Sequence, residues 1–594
     1  MFGQRTSGKP TAMLLTVAFV ALLGAGSCQS GDDIRPGTLL TDPPTLKCLG
    51  FRWYIDGDDN RNATVTVEYR KTGETDWQKA LPMLRVHREL VDQDYTPHRC
   101  GNLFAGSVME LEPNTDYEVR LQLRDPDGGE AEETLSARTR PVPQAPAPLR
   151  TLHVYPPGHA GAKSLPAFDS LADAVAALQP GYLALLYPGV HRGPLRIETS
   201  GTPEHPIVFR GVTDGEAIIE GSGHDADLLD IDGADYLFFE HLTLRKARAA
   251  IRAGKTGTSG ATGLVVRRCT ILDSVTGIIT YSENSTNWYI ADNTITGFNP
   301  TWYPRPKDYM SPAHTGVNIY GRGHVVCHNS ISRYSDALAI ANFGPPVDDV
   351  RKHCVAIDFH NNDLWFAQDD GIEADFGCHN VRVFRNRVTN AHSGLSAQPF
   401  YGGPCYFIRN ELYCITGATL KLHNYCSGLE IHHNTCVSSG RGFSSFERWQ
   451  NGILRNNLFV GAQRYAMETG SITPYTSLDY NGWRKNDDPE GRFLKWFDGK
   501  DWGRYPTIEA LFKATGHEEH GVQVNYDIFV NAAPPEEGKT YEPGSADLRL
   551  KEGAPAVDAG QVLPNVNDGF AGKAPDLGCY ELGQEMPQYG PREE

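Results

Sequence analysis

Through the middle of the chain, short runs of apolar and β-branched residues alternate with polar ones and break at a turn centred on asparagine. Cys269, Asn293, Asn329, Asn362, Asn386, Asn410, Asn434 and Asn457 follow one another at intervals of 24, 36, 33, 24, 24, 24 and 23 residues. Their local frames are alike: Asp292-Asn293-Thr294-Ile295, His328-Asn329-Ser330-Ile331, Arg385-Asn386-Arg387-Val388, Arg409-Asn410-Glu411-Leu412, His433-Asn434-Thr435-Cys436 and Asn456-Asn457-Leu458-Phe459. A sustained period of this length marks a solenoid. About 24 residues is too short for a helix pair with loops but fits three short strands and three turns, which sets each Asn above the next at roughly 4.8 Å. Such a column can pass amide hydrogen bonds from coil to coil. A second strand begins eight or nine residues after each marker, and its apolar positions align Ile278, Val317, Leu338, Ile372, Leu395 and Leu420 as an inward column.

Ahead of the repeats, Phe168, Leu171, Val175 and Leu178 share one helical face, followed by a strand from Tyr182 to Tyr187 and a Pro188-Gly189 turn. A helix there would plug the end of the stack, whose bare strand edges otherwise template aggregation. Beyond about residue 480 the repeat fades into an aromatic-rich cap with Trp483, Trp496, Trp502 and Tyr505. Residues 41–140 differ in texture: strands near Phe51 to Ile55, Thr64 to Arg70 and Tyr117 to Arg124, separated by polar turns, predict a small β-sandwich. The proline-rich stretch 141–150 is a stiff extended linker. The solenoid with its caps then spans 151–583, and 584–594 is a tail.

The asparagine-centred turns resemble those of the right-handed parallel β-helix proteins of the pectate-lyase-like superfamily. The resemblance implies an all-β chain, a right-handed parallel β-helix (solenoid) preceded by the small sandwich, and an exported carbohydrate-active protein. Trp53 followed by Leu111-Glu112-Pro113-Asn114-Thr115-Asp116-Tyr117 looks like the core Trp and tyrosine corner of a fibronectin type III domain. In exported enzymes such a domain is expected as a spacer first and a glycan-binding accessory second.

The amino terminus reads as an export signal over residues 1–28: Arg5 and Lys9, an apolar run from Ala12 to Leu23, then Gly24-Ala25-Gly26-Ser27-Cys28. Small residues before Cys28 resemble a bacterial lipobox. That implies lipidation of Cys28 and a cell-surface or outer-membrane location, with plain secretion or a periplasmic location as the alternative. A net charge of -18 argues against nucleic acid as a partner. An anionic polysaccharide stays open, since local clusters override the global sign, and a monomer is expected. Of the 12 cysteines, Cys354 and Cys378 are 24 residues apart and each lies eight before its marker Asn, so they are expected to stack and bridge. Cys48 and Cys100 are expected to pair across the sandwich. The other reading for the stacked pair is two buried thiols in a core column.

Outward of the apolar column, one row reads Ile279, Asn318, Ala339, Glu373, Ser396, Lys421 and the next Tyr281, Tyr320, Ala341, Asp375, Gln398, His423. Just before the strand, Asp336, Asp370 and Ser393 align, as do His314, Asp369 and His392. The 36-residue coil carries its extra residues between Gly297 and His314, including Trp302, Tyr303 and Tyr309, aromatics suited either to stacking on sugar rings or to packing the loop on itself. Substrate contacts are expected from Gln398, His392, Tyr320, Asn318, Trp302 and Tyr303.

Two reactions fit. In a β-elimination on a uronate-containing glycan, Lys421 is the base with His423 assisting, and Asp369, Asp370, Glu373 and Asp375 hold a Ca²⁺. Arg448 or Arg441, one coil on, protonates the leaving oxygen or clamps a carboxylate. Several β-helix polysaccharide lyases place a basic residue beside acidic calcium ligands, so the resemblance favours a lyase. In a hydrolysis, Glu373 and Asp375, at about 6.5 to 7 Å between Cα atoms, form the carboxyl pair with Asp369 and Asp370 nearby. Polygalacturonase-like β-helices use clustered aspartates, although their Asn-Thr-Asp and Gly-Asp-Asp strings are absent. A non-catalytic glycan-binding or structural β-helix is the third reading. Against it stands the concentration of unlike ionisable groups on one face.

Overall fold

The computed structural model describes residues 31–305, 312–445 and 448–593. The export signal, Cys28 and Tyr309 lie outside the described residues. Among those described, no helix is long and apolar enough to cross a membrane.

The repeats form a parallel β-solenoid whose strands stack into one sheet of 14 and another of 18. The asparagine column runs through it as a continuous ladder. Asn293, Asn329, Asn362, Asn386, Asn410, Asn434 and Asn457 are fully buried, and each donates from Nδ2 to the Oδ1 of the next at 2.9 to 3.0 Å. The ladder extends one step past the sequence reading, to Asn481, and ends on Glu518 Oε1 at 2.8 Å. Long strands such as Asp363–Glu373 and Arg387–Ala397 bend within their length. At the bend two successive residues face inward and the first is glycine. A Cβ on Gly394 would lie 2.6 Å from the Thr419 carbonyl oxygen and one on Gly371 2.5 Å from Val388 Cγ1, so any larger residue would push the coils apart.

Both ends are covered. Helix Leu171–Ala176, capped by Ser170, buries Leu171 and Ala174 at the first coil. Helix Ile508–Thr515 buries Leu511 in the same core at the other end and stops at Gly516, whose φ of 77° suits a residue without Cβ. The chain then runs back along the solenoid flank, where Phe529, Leu548, Leu550 and Leu577 cover Trp302, Phe366 and Tyr413. The expected tail is docked too: Arg592 reaches Asp292 with bonds of 2.8 and 2.7 Å.

The amino-terminal region is a sandwich of two four-stranded antiparallel sheets. Strand Thr64–Lys71 pairs with Asp116–Arg124 so that Val65, Val67 and Tyr69 meet Leu123, Leu121 and Val119, all buried with Trp53 in one cluster. Tyr117 closes the corner by accepting Glu112 N–H at 3.0 Å. The spacer expectation is corrected, because this unit is fused to the solenoid. Val86, Val91, Cys100, Leu103 and Ala105 share the solenoid's apolar core. Buried Arg382 spans the junction, with Nε 2.5 Å from Asp358 Oδ1 and Nη1 3.1 Å from Ser107 Oγ.

Both expected disulfides are corrected: Cys354, Cys378, Cys48 and Cys100 are free, buried thiols. Cys378 N–H donates to the Cys354 carbonyl at 2.9 Å, so the two stack in adjacent coils. In-register stacking holds side chains near the strand spacing of about 4.8 Å, whereas a disulfide draws Cβ atoms to about 3.8 Å. Cys48 sits with Phe384 and Tyr406, and Cys100 in the main solenoid core, so the sandwich pair is separated between two clusters.

Candidate active site

Backbone pairing sets Asn318 beside Ala339, Ala339 beside Glu373, Glu373 beside Ser396 and Ser396 beside Lys421. Glu373 and Lys421 thus stand in one outward row with a serine between them. Asp370 pairs with Ser393, and its N–H donates to Asp336 Oδ1 at 3.3 Å. Strict alternation would send Asp369 and Asp370 to opposite faces. Between Ala367 and Asp370, however, the register shifts, and this bulge turns both carboxylates the same way. Lys421 reaches back across two coils to place Nζ 2.6 Å from Asp370 Oδ2 and 3.8 Å from Asp369 Oδ1.

Asp336, Asp370 and Glu373 each present an oxygen within 4.8 Å of the other two. Burial works to raise the Asp370 carboxyl, and the Lys421 ammonium outweighs it, holding Asp370 below the usual carboxylate range. Asp336 and Glu373 are pushed well above that range, first by burial and then by carboxylates around them. Burial also pushes Asp375 up to about 8, although Lys421 opposes it. Asp375 Oδ1 accepts Ser396 Oγ at 2.9 Å and Gln398 N–H at 2.7 Å. On Lys421 itself, burial works to lower the pKa, but Asp370 and Asp369 hold it far above an ordinary lysine. The ion pair with Asp370 thus favours the charged form of Lys421, whereas a base must be neutral to accept a proton. Burial and then the Lys421 charge lower His423 to about 4, and burial and then Arg305 lower His392 to about 4. Both imidazoles are neutral at pH 7.

Two cavities meet at Lys421, which lines both. The first, about 610 Å³, has Asp336, Asp369, Glu373 and Asp375 on its floor, with Asn318 and Gln398 on its walls. The second, about 410 Å³, is lined by Arg305, His392, His423, Arg441 and Arg464. Arg305 is ion-paired with Asp369, and Arg441 with Glu468 at 2.6 Å. Fully buried Asp370 lies beneath the floor, where Glu373 and Ser393 hydrogen-bond it beside Lys421.

Four expected site residues lie elsewhere. Tyr320 is 1% exposed in the solenoid core, because strand Thr315–Ile319 ends just before it and alternation ends with it. Trp302, 2% exposed, donates from Nε1 to Thr540 Oγ1 at 2.9 Å, and the Tyr303 hydroxyl bonds Glu537. These aromatics seal the carboxy-terminal segment onto the flank, which buries more apolar surface than overhanging the cleft would. Arg448 is exposed and lies over the Tyr425 ring, 5.4 Å from its centroid. The sequence reading missed Arg305, Phe343 and Tyr95. Phe343 had a signal: the 33-residue interval between Asn329 and Asn362 requires an insert, and residues 341–354 supply it.

No protein-family model matches this sequence, and no curated protein is similar to it. Solved structures similar in fold include an alginate lyase from Paenibacillus sp. str. FPU-7, at 14% identity and TM-score 0.33 over 47% of this chain and 94% of that one. A family 28 exopolygalacturonase from Yersinia enterocolitica shares 10% identity at TM-score 0.29 over 85% of this chain and 100% of that one. A mannuronic acid specific polysaccharide family 6 lyase from human gut microbiota shares 14% at TM-score 0.38 over 64% and 92%. At these identities the likeness concerns the β-helix fold alone.

Proposed function

We propose that this protein is a carbohydrate-active enzyme that hydrolyses glycosidic bonds in an acidic polysaccharide. One observation carries the reading: a single cleft gathers Asp336, Asp370 and Glu373 within 4.8 Å of one another, where burial and mutual repulsion raise Asp336 and Glu373, while cations face the carboxylates beside them. Carboxyls pushed apart in this way divide the work of acid and base. Glu373, half-buried on the cavity floor, gives its proton to the glycosidic oxygen as the bond to the anomeric carbon breaks. Asp369, ion-paired with Arg305, faces the positive charge developing on that carbon and takes the proton of the attacking water. Lys421 and Asp370 form the buried pair that fixes this distribution of charge. The arginine-lined half of the cleft suits the carboxylates of the polymer.

Elimination is the second reading, favoured by the neutral imidazoles of His423 and His392 beside Lys421 and Arg305. There the cations neutralise a uronate carboxylate and an imidazole is the base. Asp336, Asp370 and Glu373 would hold a Ca²⁺, since their oxygens lie within 4.8 Å of one another, a spacing that suits bonds of about 2.4 Å. When bound, the ion would supply charge that neutralises a uronate carboxylate. Export of the mature protein completes the proposal, as a polymer substrate implies. The test is digestion of uronate-containing polysaccharides, with calcium and with chelator, recording reducing ends and the ultraviolet absorbance of unsaturated uronate. Reducing ends without absorbance are expected; absorbance rising in step would overturn hydrolysis in favour of elimination.

A further inference from the structure

The two halves of the cleft differ in charge. Among the described residues, Lys421, at their boundary, is the one lysine or arginine lining the larger cavity, whereas the smaller one holds Arg305, Arg441 and Arg464 besides Lys421. The larger cavity also carries two of the most exposed aromatic side chains described, Tyr95 at 75% and Phe343 at 76%. Aromatic side chains on the wall of a polar cleft suit stacking on the apolar face of a sugar ring.

Neither residue is adrift. Phe343 stands against Phe376, with ring centroids 5.5 Å apart, and near Tyr281 at 6.5 Å. Its φ of 50° is left-handed, a conformation a bulky residue adopts only when its surroundings impose it. Tyr95 comes from the sandwich, on a loop fixed at both levels. Val91 is fully buried in the solenoid core, Asp92 N–H donates to the Asn424 carbonyl at 2.8 Å, and Asp92 Oδ2 accepts Thr96 N–H at 3.0 Å. The same cavity is also lined by Asp92 and Gln398, whose Oδ1 and Oε1 are buried without a donor. A ring with an apolar face and hydroxyl groups suits this lining, in which Lys421, already paired with Asp370, is the one described cation among the carboxyls of Asp92, Asp336, Asp369, Glu373 and Asp375.

We propose that the sandwich loop is part of the substrate site, and that Tyr95 and Phe343 clamp an uncharged sugar ring on one side of the scissile bond while the arginine half takes a carboxylated one. The polymer is then a heteropolysaccharide in which neutral and uronate residues adjoin. This inference rests on the hydrolytic reading only for the position of the bond. Binding to full-length Glu373→Gln protein, followed by titration calorimetry, tests it with neutral tetrasaccharides of glucose, mannose, galactose and xylose and with tetragalacturonate. At least one neutral probe is expected to bind. Tyr95→Ala and Phe343→Gly should each weaken it about three- to tenfold, as the loss of one ring contact does, and leave tetragalacturonate unchanged. Arg464→Ala should do the reverse. Since Tyr95 is largely exposed, its variant should melt with the parent. Absence of binding by all neutral probes, or equal effects of Tyr95→Ala on both classes, would overturn the clamp. Turnover by Glu373→Gln would instead overturn the assignment of the acid and leave the binding comparison standing.

Discussion

Replacing Lys421 by methionine removes a charge while keeping most of the side chain's length. In the wild-type site the lysine side chain is 9% exposed and that of Asp370 0%, so water cannot substitute for the lost ammonium. Breaking a buried pair by deleting one partner costs about 3 to 5 kcal/mol, less whatever Asp370 recovers by taking a proton. The sign with pH follows from both partners. Asp370 is held low, so its contribution is present above about pH 4, the ordinary carboxylate value, and is lost as pH falls below it. Lys421 is held high, so its share is present below about pH 10 and is lost only as pH rises through its folded value. The stability gap between wild type and Lys421→Met, read from urea midpoints, should therefore be widest between about pH 4 and 10 and close in acid. Activity should fall at least about 100-fold, the usual effect of deleting one buried electrostatic partner of the transition state. Lys421→Arg keeps the charge and should recover part of both quantities. If Lys421→Met keeps its midpoint at pH 7, or if Lys421→Arg is fully stable yet as inactive as Lys421→Met, the lysine is not a counter-charge and its role as base returns.

Glu373→Gln should abolish turnover while stability holds or rises by about 1 kcal/mol, because the amide cannot carry the charge that burial opposes; a lower melting temperature with normal activity would contradict this. Asp336, Glu373 and Asp375 are all raised carboxyls, so the stability they contribute by holding protons is full below about pH 4 and is lost as pH rises, through about 8 for Asp375. The melting temperature should accordingly be higher near pH 5.5 than at pH 8, and the opposite order would rule out protonated carboxyls in the cleft. Asn386→Leu removes the donor to the Phe359 carbonyl at 2.9 Å and the acceptor of the Asn362 N–H at 3.1 Å. The loss should be about 1 to 3 kcal/mol for each, seen in denaturant unfolding, with kcat of the remaining folded protein unchanged. Loss of kcat at unaltered stability would place that residue in the chemistry.

The sequence by itself determined the solenoid, and the reason is the locality of its rules. Each coil meets only its neighbours, so a repeat of about 24 residues fixes which side chains stack, and the row from Asn318 to Lys421 could be read before any coordinates. Glycine at the bend and asparagine at the turn are requirements of the same nearest-neighbour stacking. What a row cannot contain is contact across hundreds of residues or the balance of charge in a buried space. Whether Lys421 is a base or a pinned cation depends on how deeply Asp370 is buried and on a bulge that brings Asp369 beside it. The fate of Trp302 depended on a carboxy-terminal segment more than 200 residues on, whose Thr540 receives its indole N–H. The sandwich read as a separate unit because its own strands alternate correctly. Only the tertiary structure set Val91 into the solenoid core and Tyr95 over the cleft, since docking of one apolar face on another leaves no periodic trace in either.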